Sequence, residues 1–488
     1  MTQFPKLLRR FAFLFCLMFF SLFAGAQIET RSVFAPGISP ISVVTGDFNH
    51  DGILDLAIAS VTYPGPEVQV FLGRGDGTFR LLSKYDVGPG TGPIATADLN
   101  GDGNLDLVVV NGVCTIEVCY DSVSVLLGNG DGTFGSPVSY ATPPGPAAVF
   151  LGDFNGDGKL DVATLNRSDY TATCGCVGIL LGNGDGTFQE PAIITPLTGN
   201  PEALVAGHFG GTRNLDLAVT LGHISSDTVQ ILAGNGDGTF QVGESYDLAP
   251  ECESILAADF RNNGKTDLAV GEFEGRGVAV LLGKGDGTFE RPIVYKAGTP
   301  LGVAAADMNG DGILDLVAVT TGNTLPLHGF TEILLGNGDG TFQSQTAYPT
   351  GQFPWGVAVA DLNGDRKPDI VVSDYGNNQE FIFLNTGVVA FSPTNLLEFP
   401  KQRHGTTSKP QTVTLTNNGK TELKITSMKA SAPFGVTSSC GEAVAAGGNC
   451  TISITFSPKT EGEVSGTVSI DDSASSKPQV IALGGTGT

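Results

Sequence analysis

The sequence predicts an all-β chain: a seven-bladed β-propeller followed by a β-sandwich. Three observations predict it. A nine-residue acidic pattern returns seven times between residues 47 and 369. A glycine-rich turn recurs in fixed phase behind it. Beyond Asn385 both patterns stop, and short runs of alternating polar and apolar residues continue to the C-terminus.

The first 26 residues read as a secretory signal peptide: Lys6, Arg9 and Arg10 precede an apolar run from Phe11 to Phe23, and Ala24-Gly25-Ala26 supplies the small-residue cleavage pattern. The run is shorter than the roughly 20 residues that span a bilayer. No later segment is apolar enough to do so, and the mature chain, from near Gln27, is expected to carry no transmembrane segment. The chain has 26 basic and 50 acidic residues, a net charge of −24. Nucleic acid is an unsuitable partner for such a chain, because phosphate binding needs clustered Lys and Arg. The aspartates recur in one pattern rather than being scattered, which points to neutralisation of part of the charge by bound cations.

Five copies of the acidic pattern are intact: DFNHDGILD from Asp47, DLNGDGNLD from Asp98, DFNGDGKLD from Asp153, DMNGDGILD from Asp307 and DLNGDRKPD from Asp361. HFGGTRNLD from His208 and DFRNNGKTD from Asp259 are decayed copies. A period near 50 residues indicates radially repeated sheets or a solenoid. Each copy leads into a short apolar run (LAIAS, LVVVN, VATLN, LAVTL, LAVGE, LVAVT, IVVSD), a variable loop, and a second run ending in a glycine-rich turn. These runs are too short and too β-branched for helices. The turn reads GRGDGTF from Gly73, GNGDGTF from Gly128, Gly182, Gly234 and Gly336, and GKGDGTF from Gly283, while the last repeat ends in FLNTG. Six residues after the turn phenylalanine come Tyr85, Tyr140, Ile194, Tyr246, Tyr295 and Tyr348, the register of an outer strand. That leaves six outer strands for seven repeats. The segment from Gln27 to Pro36, with Phe34 three residues before Gly37, is expected to supply the missing strand and close the ring.

Two co-registered motifs of this kind resemble the FG-GAP (VCBS-type) repeats found in integrin alpha subunits and in many bacterial secreted proteins, over about residues 38 to 388. The resemblance implies a seven-bladed propeller whose first inter-strand loop holds calcium. It places the acidic loops and the glycine-rich turns on one face and the variable loops on the other.

Calcium takes six to eight oxygens, and a tight loop offers side chains from positions 1, 3 and 5, a carbonyl from 7 and a carboxylate from 9. The intact copies supply Asp47, Asn49, Asp51, the Ile53 carbonyl and Asp55; Asp98, Asn100, Asp102, Asn104 and Asp106; Asp153, Asn155, Asp157, Lys159 and Asp161; Asp307, Asn309, Asp311, Ile313 and Asp315; and Asp361, Asn363, Asp365, Lys367 and Asp369. About five calcium sites are therefore expected. Four copies carry the glycine that a sharp turn prefers at position 6, whereas the fifth has Arg366, which predicts a strained turn and a weaker site. Ile58, Val109, Thr164, Ala318 and Val372 stand where an EF-hand would need glutamate. The carboxylates vanish together at His208, leaving Asp216, and the copy from Asp259 keeps Asp267 beside Arg261 and Asn263. Neither is expected to hold metal. Asp, Asn and Gly also build ordinary hairpin turns, and that simpler role is assigned to Asp76, Asp131, Asp185, Asp237, Asp286 and Asp339 of the GDGTF turns.

Tyr63, Tyr120, Tyr170 and Tyr375 fall in the variable loops, and Trp355, the single tryptophan, in a loop entering the last blade. On the face opposite calcium they form the candidate ligand site, suited to stacking on a glycan or contacting an extracellular protein; alternatively they pack the loops onto their own blades. Export permits disulfides. Cys440 and Cys450 are the expected pair, Cys114, Cys119, Cys174 and Cys176 can pair among themselves, and Cys252 is left as a free, buried thiol. His50, His208, His223, His328 and His404 show no fixed partner, and no nucleophile elbow, zinc motif or phosphate loop occurs. A non-enzyme is expected.

After Asn385 the composition turns to Ser, Thr and Lys, with strand alternation in QTVTLTNNG, CTISITFSP, GTVSID and VIALGGTG. LTNNG, CTISITFSP, EGEVSGTVSI and ALGGTG resemble the immunoglobulin-like domains of the ASPM, SPD-2 and Hydin type, which implies a spacer or docking module. The expected organisation is a signal peptide over 1–26, a propeller over 27–388 and an immunoglobulin-like β-sandwich over 389–488. Its expected role is a secreted, periplasmic or cell-surface recognition or adhesion protein. A structural envelope module without soluble ligand is the second reading, and a carbohydrate-active enzyme the third. Oligomeric state has no signature in the sequence.

Overall fold

A run such as Asp55–Ser60, DLAIAS, lacks the polar–apolar alternation of a half-exposed strand, so both of its faces must be covered. All six of its residues are buried. The computed structural model describes residues 28–488 apart from short segments at 37–38, 62–66, 115–118, 168–174, 191, 223–226, 275–276, 322–327, 386–388, 393–396, 418–421 and 474–477. Every regular element among the described residues is a strand. In the first sheet Pro40–Gly46, Asp55–Ser60, Glu67–Gly73 and Phe79–Asp86 pair antiparallel in chain order. The same order recurs in sheets whose first strands are Thr91–Ala97, Pro146–Gly152, Asn200–Gly207, Ser254–Ala258 and Thr299–Ala306.

The seventh four-stranded sheet contains Pro354–Ala360, Asp369–Asp374 and Gln379–Asn385, and its outer strand is Ile28–Phe34 from the chain's beginning. The pairing runs from Ile28 opposite Asn385 to Phe34 opposite Glu380. First strands of successive sheets touch one another in a closed cycle that ends with Pro354–Ala360 against Pro40–Gly46. The sheets are therefore blades around an axis, and closure by the N-terminal strand leaves no blade one strand short.

Side chains of one strand divide between two seams. Ala57, Ala59, Val68 and Val70 pack with Ile94, Leu107 and Val109 of the second blade. Leu56, Ile58 and Phe71 pack with Val371 and Ile382 of the seventh. Each fully buried Val, Leu or Ile among them contributes about 1.5–3 kcal/mol of transfer free energy.

Polar straps join the blades at the rim. At four seams the phenylalanine of a GDGTF turn meets, edge to face, the aromatic at position 2 of the preceding acidic loop: Phe48–Phe134, Phe154–Phe240, Phe209–Phe289 and Phe260–Phe342. At two of them its backbone N–H also donates to the outer-strand tyrosine of the preceding blade, Phe134 to Tyr85 and Phe289 to Tyr246, each at 2.7 Å. The recurring tyrosine register thus marks a coupling device between blades.

The C-terminal unit is a two-sheet sandwich. One sheet orders Val389–Ser392, Gln411–Asn417, Asn449–Phe456 and Phe434–Ser438, and the other Leu397–Gln402, Gln479–Gly487, Gly462–Asp472, Leu423–Ala430 and Ala443–Val444. Inward residues of both sheets, among them Val413, Leu415, Ile452, Ile454, Phe456, Val468, Ile470 and Leu483, form one core. Cys440 and Cys450 are disulfide-bonded within it, and Cys252 is a free buried thiol. Cys176 is also disulfide-bonded; Cys174 lies outside the described residues.

The strap has a measurable consequence. Tyr246→Phe keeps the ring contact with Phe289 but removes the acceptor for its N–H, and chemical denaturation should show a loss of about 1 kcal/mol without a change of fold.

Candidate functional site

Each acidic loop leaves the first strand of its blade at position 1 and enters the second strand at position 9. Position 9 is fully buried in all intact copies: Asp55, Asp106, Asp161, Asp315 and Asp369. Asp55 accepts from Phe48 N–H at 3.0 Å and Gly73 N–H at 2.9 Å, joining the loop to the far end of the third strand. Asp106 does the same with Leu99 and Gly128, Asp161 with Phe154 and Gly182, Asp315 with Met308 and Gly336, and Asp369 with Leu362 and Asn385. The decayed copies keep this clasp, with Asp216 on Phe209 and Gly234 and Asp267 on Phe260 and Gly283. In the sequence, position 9 reads as a metal ligand alone. Its retention where the position 5 carboxylate is lost in both copies, and the position 1 carboxylate in one, shows a second, architectural duty.

The remaining oxygens ring the turn. Asp47 accepts from Asp51 and Gly52 N–H, Asn49 from Asp51 N–H, and Asp51 from Ile53 N–H, all within 3.1 Å. The other intact loops repeat this arrangement. Among the described residues no three acidic, cysteine or histidine side chains are gathered onto a single point. The carboxylates nevertheless feel one another: burial pushes the Asp55 pKa up to about 6, with Asp51 and Asp47 adding repulsion. Asp315 and Asp369 are pushed up to about 7 by the same causes, with Asp311 and Asp307 beside the first and Asp365 and Asp361 beside the second. Among the described residues the lysines paired with these loops are exposed or half-buried, Lys159 at 3.8 Å from Asp157 and Lys367 at 3.7 Å from Asp365. An all-oxygen set carrying uncompensated negative charge fits a hard divalent cation such as calcium.

The turn demands left-handed backbone at position 6, where Gly52, Gly103, Gly158 and Gly312 have φ of 81° to 88°. Arg366 adopts +67° in the same place, the strain expected from its sequence. His50 at position 4 is also left-handed, at +60°, and its Nε2 lies 2.8 Å from Asn104 Oδ1 of the next loop. His208 Nδ1 meets the Asn214 carbonyl at 3.0 Å. The expectation that these histidines lack partners is thus corrected, because neighbouring loops and local turns that sequence does not juxtapose supply them.

The decayed loop from Asp259 contains its own cation. Arg261 Nη2 donates to Asp267 Oδ1 at 2.6 Å and to the Gly283 carbonyl at 2.5 Å, and Nε reaches Asp267 Oδ2 at 3.3 Å. The guanidinium bridges the same two elements that the position 9 clasp joins. In the GDGTF turns, Asp131 accepts from both the N–H and the hydroxyl of Thr133, and Asp76, Asp185, Asp237, Asp286 and Asp339 do so with their own threonines. The threonine hydroxyl holds the pKa of Asp131 below the usual carboxylate range. These aspartates are turn residues.

The other end of the blades carries the aromatic residues. Trp355 and Tyr375 are exposed and pack with Phe353, with ring centroids 5.7 Å, 6.3 Å and 6.4 Å apart. Trp355 belongs to the start of strand Pro354–Ala360 rather than to a loop, a correction with a clear cause: the register shifts between Pro354 and Gly356, and the bulge leaves Trp355 unpaired. Beneath it, buried Asp374 accepts from Gln352 and Phe353 N–H. Tyr120 is likewise in a strand, Cys119–Leu126, paired with Val113, because the hairpin extends through valine and cysteine pairs beyond the usual blade. Tyr63 and Tyr170 lie outside the described residues. Of the predicted aromatic set, the structure brings together Trp355 and Tyr375, and adds Phe353.

A four-stranded unit repeated around a ring, with an acidic loop after each first strand, defines a repeat propeller. The chain carries FG-GAP-like repeats, matched over residues 47–109, 113–164, 259–318 and 320–372, and a domain of the abnormal spindle-like microcephaly-associated, ASPM-SPD-2-Hydin family over 386–480. The matches pass over the blade whose loop begins at His208. A functionally unknown protein from Desulfotomaculum acetoxidans DSM 771 is similar in structure with 10% identity, over 63% of this chain and 86% of that one, at a TM-score of 0.42. The ASH/PapD-like domain 7 of human CEP192 matches with 18% identity, over 21% of this chain and 85% of that one, at a TM-score of 0.16. No curated protein matches the chain.

Two outcomes follow from the loops. Arg366→Gly relieves the left-handed strain and should raise stability by about 1 kcal/mol in a melting experiment. In excess chelator, the raised acids favour the folded state while protonated. Stability should therefore fall as pH rises from about 5 to about 8, through their folded pKa values, in a pH series of melting curves.

Proposed function

We propose that the protein is an exported recognition or adhesion protein, stabilised by calcium in its five intact acidic loops, that binds a glycan or an extracellular protein through the opposite face of the propeller. The observation that carries this is the pair of exposed rings, Trp355 and Tyr375, packed on half-buried Phe353 at the end of the last blade remote from its acidic loop. Strand Pro354–Ala360 begins at Trp355's end and leads into Asp361, so platform and loop occupy opposite ends of one strand. The three rings cluster with centroids 5.7–6.4 Å apart, which favours a partner with an apolar surface, such as a sugar face or an aliphatic side chain. Calcium supports this by fixing the loops rather than by touching the ligand: Asp, Asn and carbonyl oxygens replace its water, and its charge offsets the crowded carboxylates. The sandwich acts as spacer or docking module, and the protein has no catalytic role in this proposal.

Glycan arrays and extracellular protein panels, probed in millimolar calcium with the wild-type chain and with Trp355→Ala/Tyr375→Ala, test it. Binding to a defined ligand class that falls at least about tenfold in the double variant is expected. Calcium titration should show about five sites and abolish the alkaline loss of stability seen in chelator. Ligand binding unaffected by the double variant removes the face assignment, and hydrolysis of an arrayed polysaccharide removes the non-catalytic role.

A further inference from the structure

The seam between the last blade and the first contains polar atoms that the rest of the ring does not explain. Val371 and Ile382 face Leu56, Ile58 and Phe71 across it. Two residues further along the same strand faces, Ser373 stands opposite Glu380 on the last blade. On the first blade Gln69 stands opposite Ile58, and Ser60 opposite Glu67. The alternation that interleaves the apolar residues thus carries Glu380 and Ser373 to the level between Gln69 and Ser60. All four side chains are 0% exposed. Ser60 Oγ, Gln69 Oε1, Ser373 Oγ and both carboxyl oxygens of Glu380 have no hydrogen-bond partner.

Buried polar atoms in such a number need a shared partner, since each one left alone costs about 1–3 kcal/mol. A carboxylate and an amide oxygen are both acceptors and cannot pair as they stand. The Gln69 nitrogen directs one of its two N–H groups to Glu67, on the side away from its unpaired oxygen. Among the described side chains no cation is paired with Glu380. Lys84, on the outer strand beside Gln69, is paired with Glu67 at 2.9 Å. Asp86, opposite Glu67, accepts from Gly88 N–H, and Asp374 beside Glu380 is a second acid, engaged with Gln352 and Phe353. The first strand of blade one, PISVVTG, has no charged residue, and in the second Asp55 lies at the far end. On the N-terminal strand Phe34 is opposite Glu380, Glu29 is opposite Leu384, and Arg31 sits at the register shift between Thr30 and Ser32.

We propose that a proton closes the ring: Glu380, as a neutral carboxylic acid, donates to the Gln69 carbonyl oxygen across the seam and accepts from the Ser373 hydroxyl, and loss of that proton loosens the N-terminal closure. A single proton converts two clashing acceptors into one hydrogen bond, leaving the serine hydroxyls free to rotate onto the remaining lone pairs. Burial, with Asp374 adding repulsion, pushes the Glu380 pKa up to about 8, against a smaller opposing effect of the Ser373 hydroxyl. The sign follows from that direction. The closure is intact below the ordinary glutamate range and is lost as pH rises through the folded value. The strand at stake, Ile28–Phe34, is held to its blade by Gln379–Asn385, the strand that carries Glu380.

Glu380→Gln keeps the shape and supplies a permanent donor. In saturating calcium, the full chain should melt several degrees lower at about pH 9.5 than at about pH 6, while the Gln variant keeps its melting temperature and is the more stable of the two at the alkaline end. Hydrogen exchange, corrected for intrinsic rates, should show protection of the Ile28–Phe34 amides lost above about pH 8 in the wild type and retained in the variant. Parallel pH profiles for the two proteins overturn the proposal. If the variant does not fold, the exchange measurement on the wild type decides: selective loss at the N-terminal strand supports the latch, and loss spread evenly over the blades overturns it.

Discussion

Every blade depends on one buried aspartate. Its carboxylate, at the start of the second strand, accepts an amide from the loop before it and another from the end of the third strand. Three consecutive strands are thereby fixed at one point, and the charge is acceptable in the interior because two donors meet it. The seven clasps outlast the loops around them. In the blade with His208 the other acids have gone, in the blade with Arg261 only Asp259 is left of them, and the clasp remains in both.

From that point the blades are coupled outward. The loop's aromatic at position 2 packs on the GDGTF phenylalanine of the next blade, whose N–H is taken by an outer-strand tyrosine of the blade behind. Acidic loop, glycine-rich turn and tyrosine are one mechanical unit that spans a seam. This is why two motifs so far apart in the repeat keep a common phase. Arg261 makes the electrostatic requirement visible, since a guanidinium on Asp267 occupies the place where the intact loops crowd carboxylates.

The ends of the strands have separated duties. Repeated, charged and conformationally strict turns occupy one end, including left-handed residues at Arg366 and His50. At the other end the repeats diverge, and a bulge beside Pro354 turns Trp355 outward onto Phe353 and Tyr375. A rigid ring that tolerates change on one face is a general way to carry a recognition surface without disturbing the core.

The all-β class, the repeat phase, the four-strand unit, the closing N-terminal strand and the sandwich were legible in the sequence, because each rests on local periodicity or on a motif that a turn dictates. Arg366's strained backbone was legible for the same reason: the position requires glycine geometry. What a residue meets across a seam was not. Tyr120 and Trp355 look like loop residues until hairpin extension and a proline-linked bulge place them in strands. His50 finds Asn104 only when separate repeats are laid side by side, and the bond proposed between Glu380 and Gln69 belongs to a seam of the same kind. Spacing along a chain specifies which way a side chain leaves its own strand. Only the packing of one twisted sheet on another decides what it faces there, and therefore whether its charge, its proton and its hydrogen bonds are satisfied.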